Sequence, residues 1–582
     1  MPMPDSTIDV LIIGAGPSGL AAALWLAQLD VPFRIIDKRE DQPRVGQADG
    51  LNPKTMEIFE RFEIHDQVTK LWEPATDETL WYRDDNGQLR RIERYRNVPP
   101  PGVRWTHGTL QQGRVEEIMK KRVFELSGVA VEYHTCLVNL TVDTSQLDIP
   151  EAHPCTVLVE RPQGQNEQIH ARYVIGADGG KSQTRQLLGF DMQGNKGSSI
   201  WGVMDFSGGS NFPDFGTTSI IRNDIDGSVD FVRREEDLVR MYVELNKGPE
   251  GEHITRDVIT PELIIKKCQY LLRPFKLDVR HWVWWSAFTA TQRLSSALSA
   301  HQRVFLVGDA VHTHSPVTGM GMNTSIQDSY NLGWKLAGVI KGQLTPRILK
   351  TYSTERGPVA HQLLEADRTA LELFSTPFGN ETPALLQRME QMRIFLGGRR
   401  IRYDDPLLTW LPVQEMGIFK PGECLPEMLV TNHATGRSVS LHNVLQTNGS
   451  WCLIVFGGDV SHGGQMQRVQ IIGSQLKVLQ EKCRGSGRSF LNTVFVHCAP
   501  WTAVELADFP AIFFPPHEET GRDYRKIFID EGTMYDEAGV DRSSGGLVLV
   551  RPDQHIVWIA GLDDFKGLER NLSHVFQIGL DG

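Results

Sequence analysis

The 582-residue sequence predicts an α/β fold of more than one domain, and three observations carry that prediction. An apolar run, a glycine-rich turn and a helix rich in small residues open the chain. Stretches of alternating polarity fill its middle, and a second strand–helix–strand pattern occupies its last third. Together they describe a Rossmann-like nucleotide-binding domain, an antiparallel sheet inserted into it, and a C-terminal thioredoxin-like unit. A chain of this length is not expected to share one hydrophobic core.

The first element is "IDVLIIGAG", apolar enough for a strand buried on both faces. "PSGLAAALWLAQLD" follows as a helix with Pro17 in its first turn, and "VPFRIIDKRE" is the next strand. Gly14, Gly16 and Gly19 fall on the turn, and Asp37, with Lys38 beside it, comes eighteen residues after Gly19. Such glycines let a backbone approach a pyrophosphate at a helix N-terminus, and the acid suits a ribose hydroxyl. Further strands are expected at "AVEYH", "TVLVE", "YVIGAD" and "RVFLVGD", and helices at 111–126 and 321–340.

The alternating stretches "SVDFVRR", "LVRMYVEL" and "HWVWWSAF" place antiparallel strands between about 191 and 290. This divides the nucleotide domain into 1–190 and 291–400, the latter ending in a helical, polar linker. From about 415 to 582 the order is strand "WCLIVFGG", helix, strand "NTVFVHC", hairpin "GGLVLVRPDQHIVWIA" and a last helix. That is a thioredoxin-like order without the cysteine pair of a redox site, so its role is structural or associative.

Composition narrows the function classes. The net charge of −12 and the lack of a basic run exclude a nucleic-acid partner. Seven scattered cysteines without a C-x-x-C point to free thiols in a reducing compartment. No apolar stretch has the length of a membrane span, and "MPMPDSTIDV" has no secretory pattern, so a cytoplasmic enzyme is expected.

"VFLVGDAVHTHSPVTGMGMN" offers two chemistries. Asp309, His312 and His314 suggest a metal, but "VHTHSP" supplies only two ligands on an irregular loop, and no metal is expected. The alternative is a strand ending in Gly-Asp, with Asp309 offered to a ribityl hydroxyl and a helix beginning at "GMGMN". The free N–H groups and positive end of that helix would face the anionic part of a reduced flavin. A third stretch, "YVIGADGGKSQTRQLLG", puts Asp178 after a strand and Arg185 on the next helix.

These three stretches, in this order, resemble the single-component FAD-dependent aromatic hydroxylases. "GQADGLNPKTMEIFERF", the middle strands and "GGLVLVRPDQHIVW" resemble in particular the phenol 2-monooxygenase and 3-hydroxybenzoate 4-hydroxylase branch, across nearly the whole chain. The resemblance implies FAD, transient NADPH (or NADH), O2 and a small phenolic substrate. In it oxygen is transferred from a C4a-hydroperoxyflavin, in some members with decarboxylation of an aromatic acid. It also implies a homodimer formed through the C-terminal domain. Carried over by motif, Asp49 matches the active-site aspartate and Tyr242 a tyrosine of the substrate pocket. Gln112, Asp309, Gly319, Gly321, Met322 and Asn323 match flavin contacts, alongside Asp178.

One departure stands out. Where the family carries Ser-x-Tyr, this chain reads "SAFTATQR", with Phe288 in place of the tyrosine that bonds the substrate phenol. Phenylalanine cannot make that bond. Asp49, Tyr242 and His281 are therefore the candidate catalytic groups, and Phe288, Trp285 and Met204 the candidate pocket wall. The competing function on the same scaffold is a flavin reductase or dehydrogenase that inserts no oxygen.

Overall fold

A computed structural model describes residues 5–375 apart from 85, 100–102, 224–225 and 247–253. It also describes 387, 388, 391, 394, 395, 397 and 398, and residues 401–576 apart from 411–415, 446, 484–489 and 533. The chain divides into two compact units: residues 1–100, 104–330 and 356–398 form the first, and 101–103, 331–355 and 399–582 the second.

In the first unit, strand β1 (Asp5–Ile13), helix α1 (Pro17–Gln28) and strand β2 (Phe33–Ile36) form the expected β-α-β turn. Almost every residue of α1 is buried, which is why its sequence is apolar all round. After helix α2 (Pro53–Arg61) come strands β3 (Asp77–Arg83) and β4 (Leu89–Arg96), then helix α3 (Gln112–Ser127). Strands β5 (Cys136–Val142), β6 (Cys155–Arg161) and β7 (Gln165–Gly176) lead to the short helix α4 (Gln183–Leu187). β1 lies parallel to both β2 and β7, while β5 and β6 join antiparallel at the edge.

"AVEYH" is not a strand. Glu132 makes one isolated bridge to Ile36, and then the chain turns away through His134 at φ 53°. The Glu132 carboxylate is drawn to Arg34 at 2.7 Å, a salt bridge that holds this segment to β2 without extending the ladder.

The inserted sheet comprises β8 (Met192–Ser210), β9 (Thr218–Asn223), β10 (Gly227–Arg233) and β11 (Val239–Glu244). Helix α5 (Pro261–Leu272) covers it, and β12 (Leu277–Ser295) completes it. The main order is β12-β8-β11-β10-β9-β3-β4, so the sheet reaches beyond 191–290 and recruits two strands from before residue 100. The β9–β3 pair is parallel; the other pairs in this order are antiparallel. Alternation splits it into two faces. Met204, Val229, Phe231, Met241 and Val243 pack with α5 in one core. Residues of opposite parity face the other way.

Strand β13 (Val304–Leu306) returns to the nucleotide sheet parallel to β7, and helices α6 (Gly321–Ile340) and α7 (Thr351–Ser375) follow. The rest of the expected helical linker lies largely outside the described residues.

The second unit holds a mixed seven-stranded sheet. Its strands are β14 (Leu429–Asn432), β15 (Ser438–Ser440), β16 (Trp451–Gly458), β17 (Leu491–His497), β18 (Ile527–Ile529), β19 (Gly546–Val550) and β20 (Ile556–Ala560). Helix α8 (Gln465–Lys482) connects the parallel strands β16 and β17, and helix α9 (Phe565–Val575) follows the β19–β20 hairpin. This is the strand and helix order expected of the thioredoxin-like unit. All seven cysteines of the chain are free. Among the described residues no helix is long and apolar enough to cross a membrane.

Buried charge organises this unit as well. Glu355 lies 2.6 Å from Lys335 and 2.5 Å from Arg551, whose guanidinium also meets Asp553 at 2.6 Å. Burial alone would raise the Glu355 pKa, but the Arg551 and Lys335 charges outweigh it and hold the carboxylate well ionised. Glu355→Gln leaves two buried cations short of one counter-charge and is expected to cost about 3–5 kcal/mol. Chemical denaturation of the purified variant measures this; a loss below about 1 kcal/mol would show that the cluster is not a structural centre.

Candidate active site

Two cavities meet at the start of α6. The first is a groove of about 450 Å³ where the ends of β1, β2 and β7 converge on that helix. Gly14 adopts φ +106°, and a Cβ there would lie 2.3 Å from the Ala177 carbonyl oxygen. Gly19 does not line the groove; its missing side chain lets α1 sit on the Gly14 carbonyl, 1.9 Å from where a Cβ would be. Gly16 caps α1 with no side-chain bond to the first N–H groups and open space around it. Those free donors and the helix dipole make a site for a phosphate group.

Asp37, Lys38, Gln112, Asp178, Asp309, Gly321 and Met322 all line this groove. Their side chains are engaged differently. The Asp37 carboxylate accepts the Ala15 N–H at 2.7 Å and pairs with Arg39 at 3.0 Å, so it braces the glycine turn as well as facing the groove. Asp178 accepts the Thr184 N–H at 2.9 Å and the Thr184 hydroxyl at 3.0 Å, which fixes the entry to α4. Gln112 donates to Glu116 at 2.7 Å. Asp309 is exposed to the groove with no hydrogen bond among the described residues, free for a polyol hydroxyl.

The two histidines of "VHTHSP" have separate tasks. The His312 ring meets Asp328 at 2.9 Å, and Asp328 in turn holds Arg356 at 2.7 Å and the Gly308 N–H at 3.0 Å. His312 thus anchors the loop. His314 directs Nδ1 at the Ser315 carbonyl, 2.7 Å away, and a carbonyl can only accept, so Nδ1 carries a hydrogen. Its Nε2 is buried without a partner, 3.8 Å from the position a Gly321 Cβ would take. Burial disfavours charge on this ring, but Asp367 and Asp309 outweigh it and raise the pKa. This favours the cationic form of a ring that lies beside the N-terminus of α6, an arrangement that suits an anion. Among the described residues no three His, Cys, Asp or Glu side chains converge as metal ligands.

The second cavity, about 250 Å³, begins at Gly319 and Asn323 and runs along the open face of the inserted sheet. Asn323 accepts the Asn52 N–H at 2.9 Å and donates to the Gly50 and Gly319 carbonyls, tying the loop at 49–52 to α6. Asp49 lies on the cavity wall, 3.2 Å from Arg240 and 3.4 Å from Arg234. Its Oδ2 is buried and makes no hydrogen bond. Arg240 also grips Asp205 at 2.6 Å and donates to the Gln47 carbonyl at 2.7 Å. The Tyr242 hydroxyl lines the cavity and accepts from Arg240 at 3.4 Å. Burial, with the nearby Asp49 charge, pushes its pKa up to about 12. Tyr242 therefore stays protonated at neutral pH, with its hydrogen available to an acceptor in the cavity.

Four expected residues are not brought to this cavity. His281 is exposed, paired with Ser207 beyond a register shift in β8. Met204 is fully buried in the core under α5, and Trp285, its partner on β12, packs against the same core. Alternation is the reason, since Asp205 and Trp284 take the open face. Trp284 covers the Arg240 guanidinium at 5.4 Å, and its ring fills the space where a Gly46 Cβ would be. Phe288 shares the parity of Trp284 but does not line the cavity. Sequence reasoning missed Arg234, Arg240 and Asp205. The available signal was Arg240, charged between Val239 and Met241 and two positions from Tyr242.

Residues 7–367 match the model of an FAD binding domain, and residues 401–578 match that of the phenol hydroxylase C-terminal dimerisation domain. The chain belongs to the FAD-dependent aromatic monooxygenases. The monooxygenase is 54% identical to the FAD-dependent monooxygenase hkm7 of Aspergillus hancockii over 90% of this chain and 99% of that protein. It is 33% identical to the 3-hydroxybenzoate 4-monooxygenase of Comamonas testosteroni, over 97% of this chain and 94% of that one. Among solved structures, the flavin-dependent monooxygenase PieE, in complex with FAD and substrate, superposes with a TM-score of 0.72 at 20% identity. The match covers 98% of this chain and 99% of PieE and shows a shared fold. The groove fits this cofactor: glycines where a Cβ would collide, an uncapped helix start, and at α6 a histidine whose pKa is raised.

Removing the protonatable His314 ring disfavours an anionic reduced flavin more than the oxidised one. His314→Asn is expected to lower the two-electron midpoint potential of bound FAD by about 30 mV, equivalent to about 1.4 kcal/mol. Equilibration with redox dyes reads this; an unchanged potential would show that Nε2 does not face the flavin.

Proposed function

We propose that this monooxygenase uses NADPH (or NADH) and O2 to hydroxylate a phenolic ring held in the second cavity. The observation that carries the reading is Asp49 on the cavity wall, held by Arg234 and Arg240 and beside a protonated Tyr242. Arg240 and Arg234 fix Asp49 in place, so that its carboxylate can accept the phenol proton and enrich the ring for electrophilic attack. Tyr242 donates to the same phenol oxygen and orients it. Together the two groups supply the hydrogen bonds that Phe288 cannot make.

Gly14, Gly16, Lys38, Asp309 and the start of α6 would hold FAD, which when bound and reduced activates O2 and supplies the oxygen atom. Leu80, Ile220, Val232, Pro316 and Met320 give the cavity an apolar wall that keeps bulk water from the reacting centre. We further propose that the C-terminal unit forms a homodimer and that the enzyme works in the cytoplasm, where its free thiols stay reduced.

The test is NADPH oxidation across a panel of phenols, with the product analysed after reaction under ¹⁸O2. One labelled oxygen per NADPH consumed is expected from a matched phenol. Oxidation without label in the product would favour a reductase on the same scaffold. Asp49→Asn is expected to reduce product formation by about 10²–10⁴-fold with FAD retained. A variant that keeps near-full hydroxylation would remove Asp49 as the proton acceptor.

A further inference from the structure

The cavity that begins at Asp49 continues well past Tyr242. Tyr242 on β11, Val232 on β10, Thr218 and Ile220 on β9, Leu80 on β3 and Tyr95 on β4 all line it. These five strands are successive neighbours in the inserted sheet, and each gives the open face at least one of these side chains. Adjacent strands lie about 4.8 Å apart, so the four steps from Tyr242 to Tyr95 cover about 19 Å. A single phenol ring is far shorter than that.

The volume agrees with this length. An apolar cavity of roughly 150 Å³ takes one benzene molecule. About 250 Å³ is more than one ring needs, and drawn out across five strands it makes a narrow slot rather than a chamber. Its other wall is a separate three-stranded sheet of Gly50–Leu51, Gly108–Thr109 and Glu73–Pro74. Gly50 and Gly108 meet the slot with backbone alone. A Cβ at Gly50 would sit 3.3 Å from the Gly319 carbonyl oxygen, and one at Gly108 would sit 2.3 Å from the Trp72 ring. The Thr109 hydroxyl donates to the Arg233 carbonyl at 2.8 Å, which ties this wall to the end of β10. Val232, Ile220 and Leu80 make the middle of the slot apolar, and Tyr95 stands at its outer end on the edge strand. Tyr95 is half-buried, whereas residues 90–94 and 96 of the same strand are exposed.

We propose that the substrate is an elongated phenol with a second planar, ring-sized group opposite the hydroxyl, and that this group occupies the distal half of the slot. The inference rests on the reading of this cavity as the phenol site. With the hydroxyl held by Asp49 and Tyr242, a para substituent points along the slot, over Ile220 and Leu80 and toward the Tyr95 ring. An ortho substituent points instead at the walls around the hydroxyl. The distal half thus selects for reach: burying a second ring there supplies affinity that phenol itself lacks, and the aromatic face of Tyr95 offers that ring an edge or stacking contact.

Phenol, 4-phenylphenol and 2-phenylphenol test this with the FAD-loaded enzyme, since the two isomers share composition and apolar area and differ only in direction. Dissociation constants come from the perturbation of flavin absorbance. The 4-isomer is expected to bind about 30-fold tighter than either phenol or the 2-isomer. Thr218→Phe, which fills the distal half, should reduce that ratio to about threefold or less. Tyr95→Ala, which adds no bulk, should lower it about threefold. FAD content checks the fold of both variants, and Tyr95→Ala decides the matter if Thr218→Phe loses its flavin. If both isomers gain equally over phenol, the gain is general apolarity and the proposal is overturned. A ratio unmoved by the variants, or a 4-isomer that binds no better than phenol, overturns it as well; in each of these cases phenol still binds and the phenol reading stands. If no ligand of the three perturbs the flavin or stimulates NADPH oxidation, the phenol reading falls and the proposal with it.

Discussion

The Arg240 guanidinium is buried between two carboxylates, Asp49 on the loop after β2 and Asp205 on β8, and donates a further bond to the Gln47 carbonyl. A cation removed from water in this way needs every one of these acceptors. That requirement fixes the loop at 46–52 against the open face of the inserted sheet. The same contact brings Tyr242 and Asp49 to one cavity, and the Trp284 ring closes over the cation from the other side. Arg234 adds a second positive charge to Asp49. The site is thus an ion network first, and the groups proposed as catalytic are the members of that network that reach the cavity.

A second constraint sets where this network lies relative to the flavin groove. Asn323, in the first turn of α6, bonds three backbone groups of the 50–52 and 319 loops. The helix whose N-terminus faces the groove is therefore also the element that positions the loop carrying Asp49. Gly319 and Asn323 border one cavity while Gly321 and Met322 border the other. The boundary between cofactor space and substrate space is only a few residues of α6 and the loop before it. His314 packs beside Gly321 at this junction, and the Asp367 carboxylate on α7 raises its pKa.

The inserted sheet shows how strand alternation assigns work. Apolar residues of one parity pack with α5, and polar residues of the other parity, Asp205, Arg240, Tyr242 and Asp230, form the open face. A buried polar residue in a strand is tolerable only if its face offers partners. Arg240 and Asp205 supply each other's partners. Asp230 has one oxygen left without a partner.

Gly14, Gly16 and Gly19, the Gly-Asp end of β13 and the helix at "GMGMN" were legible from sequence alone, because backbone approach and helix ends are local chemistry. The α/β class, the cofactor groove and Asp49 with Tyr242 followed from these motifs and the resemblance they carry. The choice between neighbours on β12 was not legible. Trp284 and Trp285 are equally aromatic, and only the register with β8, shifted between Asp205 and Phe206 and again between Ser207 and Gly208, decides which one faces the site. His281 and Met204 were misplaced for the same reason, since a shift of one residue moves a side chain to the other face. Arg234 and Arg240 lie far from Asp49 along the chain, and nothing local marks them as its partners. The sequence by itself determined the fold class, the cofactor and the acid at the centre. Only the tertiary structure decided which charges hold that acid, because pairing between distant strands depends on register.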